Sequence, residues 1–454
     1  METNTYTRRI GLMSNKKIDV VALKGIRKAS HISGKAVRRT GNIIGRIENK
    51  ATKIIDRKTN TKTNNSMPVD DFFYKNYPYL YPIHPALPTI GQKPSVTVFV
   101  PSLVKRGFFG GIATLLITSA TLAKKLDMDY RVVQTSGFEK KSTVLEFLEE
   151  NGISISADRY SAIDVSYRNT HKFAYLPLHP DDVIVVSAWW DAHIASQLPL
   201  KKPFLYMLQD YEPIFYNNGD SQQLAEATYF SDSFAPLCNT ELMYKYFSVN
   251  SYDYIAKNAA WFEPAVALKP EKNKRKDEKA RKLFLYGRPQ VERNMFYSAI
   301  KALDAALQDE AFNKYNWTIY SAGQSDVPDI SLKSGHIIKN LGKMEINEYY
   351  DFVHDVDIAL SPMLAPHPNY PTLEFASVNS VVVTTKYKTK DSLENYSKNI
   401  ILCNPTIQDM SDKLIYAAKK HNLGKITSSN NIHTDWTKAL DSPLDDIIKR
   451  FNYV

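Results

Sequence analysis

The sequence predicts an α/β protein with two open, parallel-sheet domains of Rossmann type facing a central cleft, preceded by a basic arm. Three observations carry this prediction. From Pro94 onward, short apolar runs alternate with stretches of helical apolar spacing. A charged block, Lys269 to Lys282, interrupts that rhythm, which then restarts. Residues 1–65 hold 16 Lys/Arg against 4 Asp/Glu, so they carry +12 while the remaining 389 residues sum to −2.

The arm, assigned to residues 1–66, mixes spaced Ile, Val and Leu with Lys and Arg through IDVVALKGIRKASHISGKAVRRTGNIIGRIENKATKIIDRK and contains no aromatic residue there. Such a segment either lies on an anionic membrane surface as an amphipathic helix or stays a solvated tail. Nucleic acid is not expected as a partner, because no stacking aromatics accompany the basic residues. No apolar run approaches the roughly 18 residues of a spanning helix, and no secretory apolar segment opens the chain. Cys238 and Cys403 stand far apart, with neither disulfide nor metal spacing. Together these suggest a cytoplasmic protein, peripheral at the inner face of the cell membrane.

The polar stretch TNTKTNNS reads as a hinge, and DDFFYKNYPYLYPIHPALP as an irregular extension over the first domain. The first domain, residues 67–265, opens on the strand SVTVFV. A helix follows in which Ile112, Leu115, Leu116, Ala123 and Leu126 share a face. YRVVQTS, DVIVVSAWW and KPFLYMLQD are further strands. Residues 266–282 form the charged linker. The second domain, residues 283–430, begins with KLFLYG and a helix marked by Phe296, Ala299, Ile300, Leu303 and Leu307, then continues through NWTIYSAG, GHIIKNLG, VDIALSP and SVVVTT. Residues 431–454 read as a terminal helical segment. Strands alternating with helices in this way build a parallel sheet covered on both faces, with ligands at the carboxyl ends of the strands.

Four places at those ends carry chemistry. In KRGFFGGIATLL, Gly110 and Gly111 sit where a strand turns into a helix. They let an anion or a sugar approach the backbone, or they simply make a tight turn. The spacing does not match the dinucleotide fingerprint. In LYGRPQVERN, Arg288 and Arg293 flank a loop that enters a helix, and guanidinium forks suit a pyrophosphate. In SPMLAPHPNYPTLEFAS, four prolines stiffen a loop ahead of a helix capped by Asn369 or Tyr370. The N–H groups of Thr372 and Leu373 point out of that helix end, and the carboxylate of Glu374 lies one turn in, able to accept from two ribose hydroxyls. In the first domain, LQDYEP supplies Asp210, Tyr211 and Glu212, and SAWWDAH supplies Trp190, Asp191 and His193. Carboxylates there can orient or deprotonate an acceptor hydroxyl, and a Trp can stack on a sugar.

Arg288 and Arg293 after a strand, then a proline-rich loop, HPNYPTLEFASVNSVVVTT and YMLQDYEPIFY, resemble the GT-B rhamnosyltransferases of bacterial rhamnan and S-layer glycan synthesis, of WsaF type. The resemblance spans residues 90–430 and excludes the arm. It implies a hexosyltransferase that moves L-rhamnose from dTDP-L-rhamnose, with retention, onto a growing rhamnan or lipid-linked glycan. The donor is held by the second domain and the acceptor by the first. By that resemblance Arg288 and Arg293 take the pyrophosphate, Asn369, Tyr370 and Thr372 lend the helix end, Glu374 takes the ribose, and Lys343 lies near the base or phosphates. Asp210, Glu212 and His193 are the candidate catalytic groups. Neither metal nor organic cofactor is expected; the pair Asp355 and Asp357 looks like a metal motif but leads into a buried strand. Where the family carries the first glutamate of E-x7-E, this chain has Pro366, with His367 beside it. Two alternatives stay open: a nucleotide-sugar epimerase or reductase, and an inactive sugar-binding protein of the same fold.

Overall fold

The computed structural model describes residues 66–103, 110–137, 143–169, 174–266, 268 and 277–453. The basic arm, Gly107 and most of the charged linker lie outside these residues. The first sheet contains β1 (Ser95–Val100), β2 (Asp129–Gln134), β3 (Tyr160–Asp164), β4 (Val183–Val186), β5 (Phe204–Leu208), β6 (Phe234–Asn239) and β7 (Ala260–Phe262). Its order is β3-β2-β1-β4-β5-β6-β7, and every pairing is parallel. The second sheet contains β8 (Ala280–Tyr286), β9 (Asn316–Ala322), β10 (Ile330–Ser331), β11 (Ile337–Asn340), β12 (Ile358–Leu360), β13 (Val381–Thr385) and β14 (Ile400–Cys403). It runs β10-β11-β9-β8-β12-β13-β14, parallel apart from the short edge strand β10.

Burial explains why these runs are strands. All six residues of β1 and all five of β13 are buried, as a parallel strand covered on both faces requires. Seven helices matter below: α1 (Gly110–Lys125), α2 (Trp189–Ala195), α3 (Phe296–Ala306), α4 (Ile346–Asp355), α5 (Tyr370–Ser377), α6 (Ile407–Asn422) and α7 (Trp436–Arg450). α1 packs an unbroken stretch, Thr114 to Ala123, out of solvent. In each sheet the strand order reverses beside the first strand, between β1 and β4 and between β8 and β12. That reversal leaves a crevice at the carboxyl ends, where doubly wound sheets bind ligands.

The terminal helical segment has an unexpected partner. α7 joins the core of the first sheet: Trp436, Leu440, Leu444 and Ile447 pack with Val96, Leu115 and Val185. Lys125 of α1 meets Asp441 and Asp445 at 2.6 and 2.7 Å, and Tyr453 donates to the Pro203 carbonyl. Beside this return, Val266 donates to the His433 carbonyl at 2.7 Å, so the outgoing and returning crossovers run in register.

The tyrosine- and proline-rich extension is more ordered than expected. It contains a helix, Val69–Asn76, and a strand, His84–Ala86, paired with Tyr175–Pro177. Tyr79 meets Trp189 and Trp190 edge-on, and the Trp189 indole donates to Tyr216. Trp189 is buried in this packing cluster, and Trp190, half-buried beside it, is not among the residues that line the cleft described below.

Candidate active site

A cleft of about 540 Å3 opens where the carboxyl ends of the two sheets face each other. The first sheet contributes Gly110 and Gly111 at the start of α1, Ser187 after β4, and Gln209, Asp210 and Glu212 after β5. The second contributes Arg288 and Arg293 after β8, Gly323 after β9, Lys343 after β11, the loop after β12, and Tyr370 and Glu374 of α5. Residues far apart in sequence meet here because every parallel strand delivers its following loop to the same edge.

The glycines fit closely. Gly110 starts α1 at φ +48°, and a Cβ on Gly111 would stand 3.3 Å from the Gln209 amide. Gln209 bridges that turn to β4, donating to the Gly111 carbonyl and the Ser187 hydroxyl, each at 2.8 Å. Gly323 sits at φ +131°, where a Cβ would lie 2.8 Å from Arg288 Cγ and 2.9 Å from the Gly287 carbonyl. Only glycine lets the Arg288 side chain pass over that turn.

Arg293 lies across the cleft from the first domain's acids. Its Nε stands 3.5 Å from Asp210, and its guanidinium lies 4.0 Å over the Phe215 ring. Burial lowers the arginine's proton affinity, and Asp210 partly restores it. Burial raises the Asp210 carboxyl, with Arg293 opposing.

The proline loop reaches α5 as follows. Asn369 is the residue before the helix, at φ +78°, and Pro371 occupies the first turn. The Asn369 side chain does not cap the helix. It donates instead to the Ser361 hydroxyl at 2.8 Å, and its own N–H donates to His367 Nδ1 at 3.0 Å. The helix end therefore has no side-chain cap and keeps its partial positive charge, but the Leu373 N–H, expected to point outward, donates to the Asn369 carbonyl at 3.3 Å, and Pro371 has none to offer. Glu374 accepts from the Tyr349 hydroxyl at 2.6 Å, and burial pushes its carboxyl up to about 7.

Several expected roles change. His193 is not among the residues that line the cleft; it is half-buried on α2 and bonds Gln197. Glu212 lines the cleft but accepts the Trp189 N–H at 2.6 Å, so it caps α2 from 23 residues away, and burial pushes it up to about 8. Asp191 is fully buried and likewise pushed up, to about 7. Thr372 is buried with its hydroxyl unpartnered among the described residues, and only its backbone can serve the helix end. Tyr370 borders the cleft, but its hydroxyl crosses to the first domain, where it meets the Thr114 hydroxyl and accepts from Asn239 at 2.9 Å. Asp355 and Asp357 lie at the amino end of β12, away from the cleft, paired with Lys282 and with His421.

Two residues were missed. Lys390 is fully buried and donates to the carbonyls of Met363 and His367 at 2.8 and 3.3 Å, tying down the proline loop. Burial lowers its ammonium to about 7. Nothing in TKYKTKDS separates this lysine from its exposed neighbours. His367 is the second, visible in sequence only as the neighbour of Pro366.

Residues 95–241 match the family model "WsaF, N-terminal domain", and residues 281–415 match "WsaF, C-terminal domain". The chain belongs to the WsaF family of GT-B glycosyltransferases. In this WsaF-family chain the first matched segment takes in β1 to β6 and stops before β7, and the second takes in the strands from β8 to β14. A curated relative, the O-antigen biosynthesis protein RfbC of Myxococcus xanthus, is 28% identical over 274 residues. That alignment takes in 59% of this chain but only 21% of the relative's length. Among solved structures, Anabaena HepE in complex with UDP-glucose superposes with a TM-score of 0.53 at 11% identity, covering 80% of this chain and 100% of that one. A mutant of S. aureus TarM, in complex with fondaparinux, alpha-GlcNAc-glycerol and UDP, gives 0.51 at 10%, covering 79% and 97%. Both show the fold.

Proposed function

We propose that this WsaF-family protein transfers L-rhamnose from dTDP-L-rhamnose to a growing rhamnan-type or lipid-linked glycan, with retention at the sugar. The observation that carries the reading is the convergence of Arg288, Arg293 and the uncapped N-terminus of α5 on one cleft wall, with the Glu374 carboxyl beside them. Two guanidinium forks and a helix end suit a diphosphate, and a carboxylate one turn inward suits ribose hydroxyls. As the bond from sugar C1 to the diphosphate oxygen breaks, its electron pair stays on the diphosphate, where these groups stabilise the growing charge. The acceptor hydroxyl bonds to C1 on the face the diphosphate leaves, as retention requires, and gives its proton to the Asp210 carboxylate, which lies 3.5 Å from Arg293 and so beside the leaving group. RfbC, named for O-antigen biosynthesis, supports a polysaccharide product, and the choice of rhamnose rests on the resemblance to WsaF-type rhamnosyltransferases. The arm, with its +12 charge, suits an enzyme held at an anionic membrane face beside a lipid-linked acceptor.

The test is turnover and hydrolysis of dTDP-L-rhamnose, dTDP-glucose and UDP-glucose by the full chain, with the anomeric configuration of the product read by NMR. Preferential consumption of dTDP-L-rhamnose with retention is expected. Preference for a glucose donor would overturn the sugar assignment, and inversion would overturn the stereochemistry.

A further inference from the structure

We infer that His367 is a hydrogen-bond donor to an oxygen of the bound diphosphate, through Nε2–H, while its Nδ1 holds the proline loop in shape. The inference rests on the transferase reading above and adds a residue to it. His367 is 3% exposed yet borders the cleft. The Asn369 N–H points at Nδ1, 3.0 Å away. A backbone N–H can only donate, so Nδ1 carries no proton, and the neutral ring must carry it on Nε2. Nε2 has no partner among the described residues. A buried donor with nothing to bond, on a residue that borders a cleft, is a costly arrangement unless a ligand completes it.

Its surroundings indicate the ligand's charge. Burial keeps the ring neutral, and the nearby Lys390 and Arg293 reinforce this, pushing His367 down to about 3. The ring therefore does not switch with pH; it is a fixed, uncharged donor. Arg293 and the uncapped end of α5 favour negative charge at the same place, so an anionic oxygen gains from all three, whereas a sugar hydroxyl would gain from the donor alone. Its backbone is fixed too: the His367 carbonyl accepts from Lys390 at 3.3 Å, and the ring packs 5.3 Å from Tyr370.

The experiment is calorimetric titration of TDP, UDP and dTDP-L-rhamnose into full-length wild type, His367→Gln, His367→Asn and His367→Phe. Glutamine keeps an N–H near the Nε2 position. Asparagine keeps an acceptor near Nδ1 and loses the distal donor. The expected result is that Asn and Phe weaken the better-bound nucleoside diphosphate about tenfold or more, whereas Gln stays within about threefold. The ratio of wild-type to His367→Asn affinity should stay flat between about pH 5.5 and 8, since the ring does not titrate there, whereas Glu374, Glu212, Lys390 and the ligand's own phosphate titrate alike in both chains. Wild-type affinity in His367→Asn, or equal losses in Gln and Asn, overturns the proposal in favour of a loop-holding role. A loss confined to dTDP-L-rhamnose, with TDP unaffected, makes a sugar hydroxyl the acceptor and overturns the phosphate assignment. A wild type that binds neither diphosphate refutes the transferase reading itself, before any variant is compared.

Discussion

Replacing Glu374 with glutamine should stabilise the protein in alkaline solution while weakening its ligand binding. Burial raises the Glu374 carboxyl from 4.5 to about 7, against the opposing hydrogen bond from Tyr349. A carboxyl raised on folding keeps its proton in the native state after the unfolded chain has lost it. Stability therefore falls as pH rises from 4.5 to 7, and the full deficit stands above that window. That gap, at about 1.4 kcal/mol per pH unit, comes to about 3 kcal/mol. Glutamine keeps an oxygen for the Tyr349 hydroxyl and has nothing to ionise. Urea unfolding of the unliganded chain, followed by tryptophan fluorescence, should find Glu374→Gln more stable than wild type by about 3 kcal/mol at about pH 8.5 and by less than about 1 kcal/mol at about pH 5. Nucleoside diphosphate affinity should fall about tenfold, because an amide is a poorer acceptor for two hydroxyls than a carboxylate. A variant equally shifted at both pH values, or less stable than wild type in the alkaline sample, would refute the argument from burial. Stability and affinity moving in opposite directions is the mark of a residue kept for function.

Gly323→Ala should lose about 1–3 kcal/mol from its backbone conformation and its clash with Arg288 and Gly287, and should also weaken nucleoside diphosphate binding by displacing the arginine. Gly335→Ala is the control: φ is +82° with open space around it, so its thermal midpoint should drop with affinity unchanged. Unaltered calorimetric affinity in Gly323→Ala would separate Arg288 from the ligand. Deleting residues 1–60 should abolish co-sedimentation with anionic vesicles and leave binding to neutral ones as it was. Equal sedimentation with and without the arm would remove the membrane from the reading.

The elements of the cleft edge were largely legible in sequence, because their signals are local. Apolar runs such as SVTVFV and VVVTT mark strands buried on both faces, and the prolines before Thr372 mark a stiff loop entering a helix. β6 was not legible. FAPLCN carries Pro236 between two paired neighbours, and proline ordinarily argues against an interior strand. β3 (YSAID) is partly polar at its sheet edge and lacks a continuous apolar run, and β14 (IILC) is apolar but only four residues long at the edge of its sheet. Arg288, Arg293, Lys343, Gly110, Gly111 and Glu374 do reach one cleft, since parallel strands send their following loops to one edge whatever their separation in the chain.

Composition and periodicity therefore determined most of the strands and the loops that open at the cleft, but not β3, β6 or β14. Only the tertiary structure decided which side chains those loops use, and for what. α7 follows the second domain in sequence yet completes the first domain's core. Glu212 is spent on capping α2, and Tyr370 spans from one domain to the other. Lys390, one lysine among several, is the one buried against the loop carbonyls. Each of these depends on a partner 23 to more than 300 residues away, and hydrophobic spacing along a chain carries information only about its immediate neighbours.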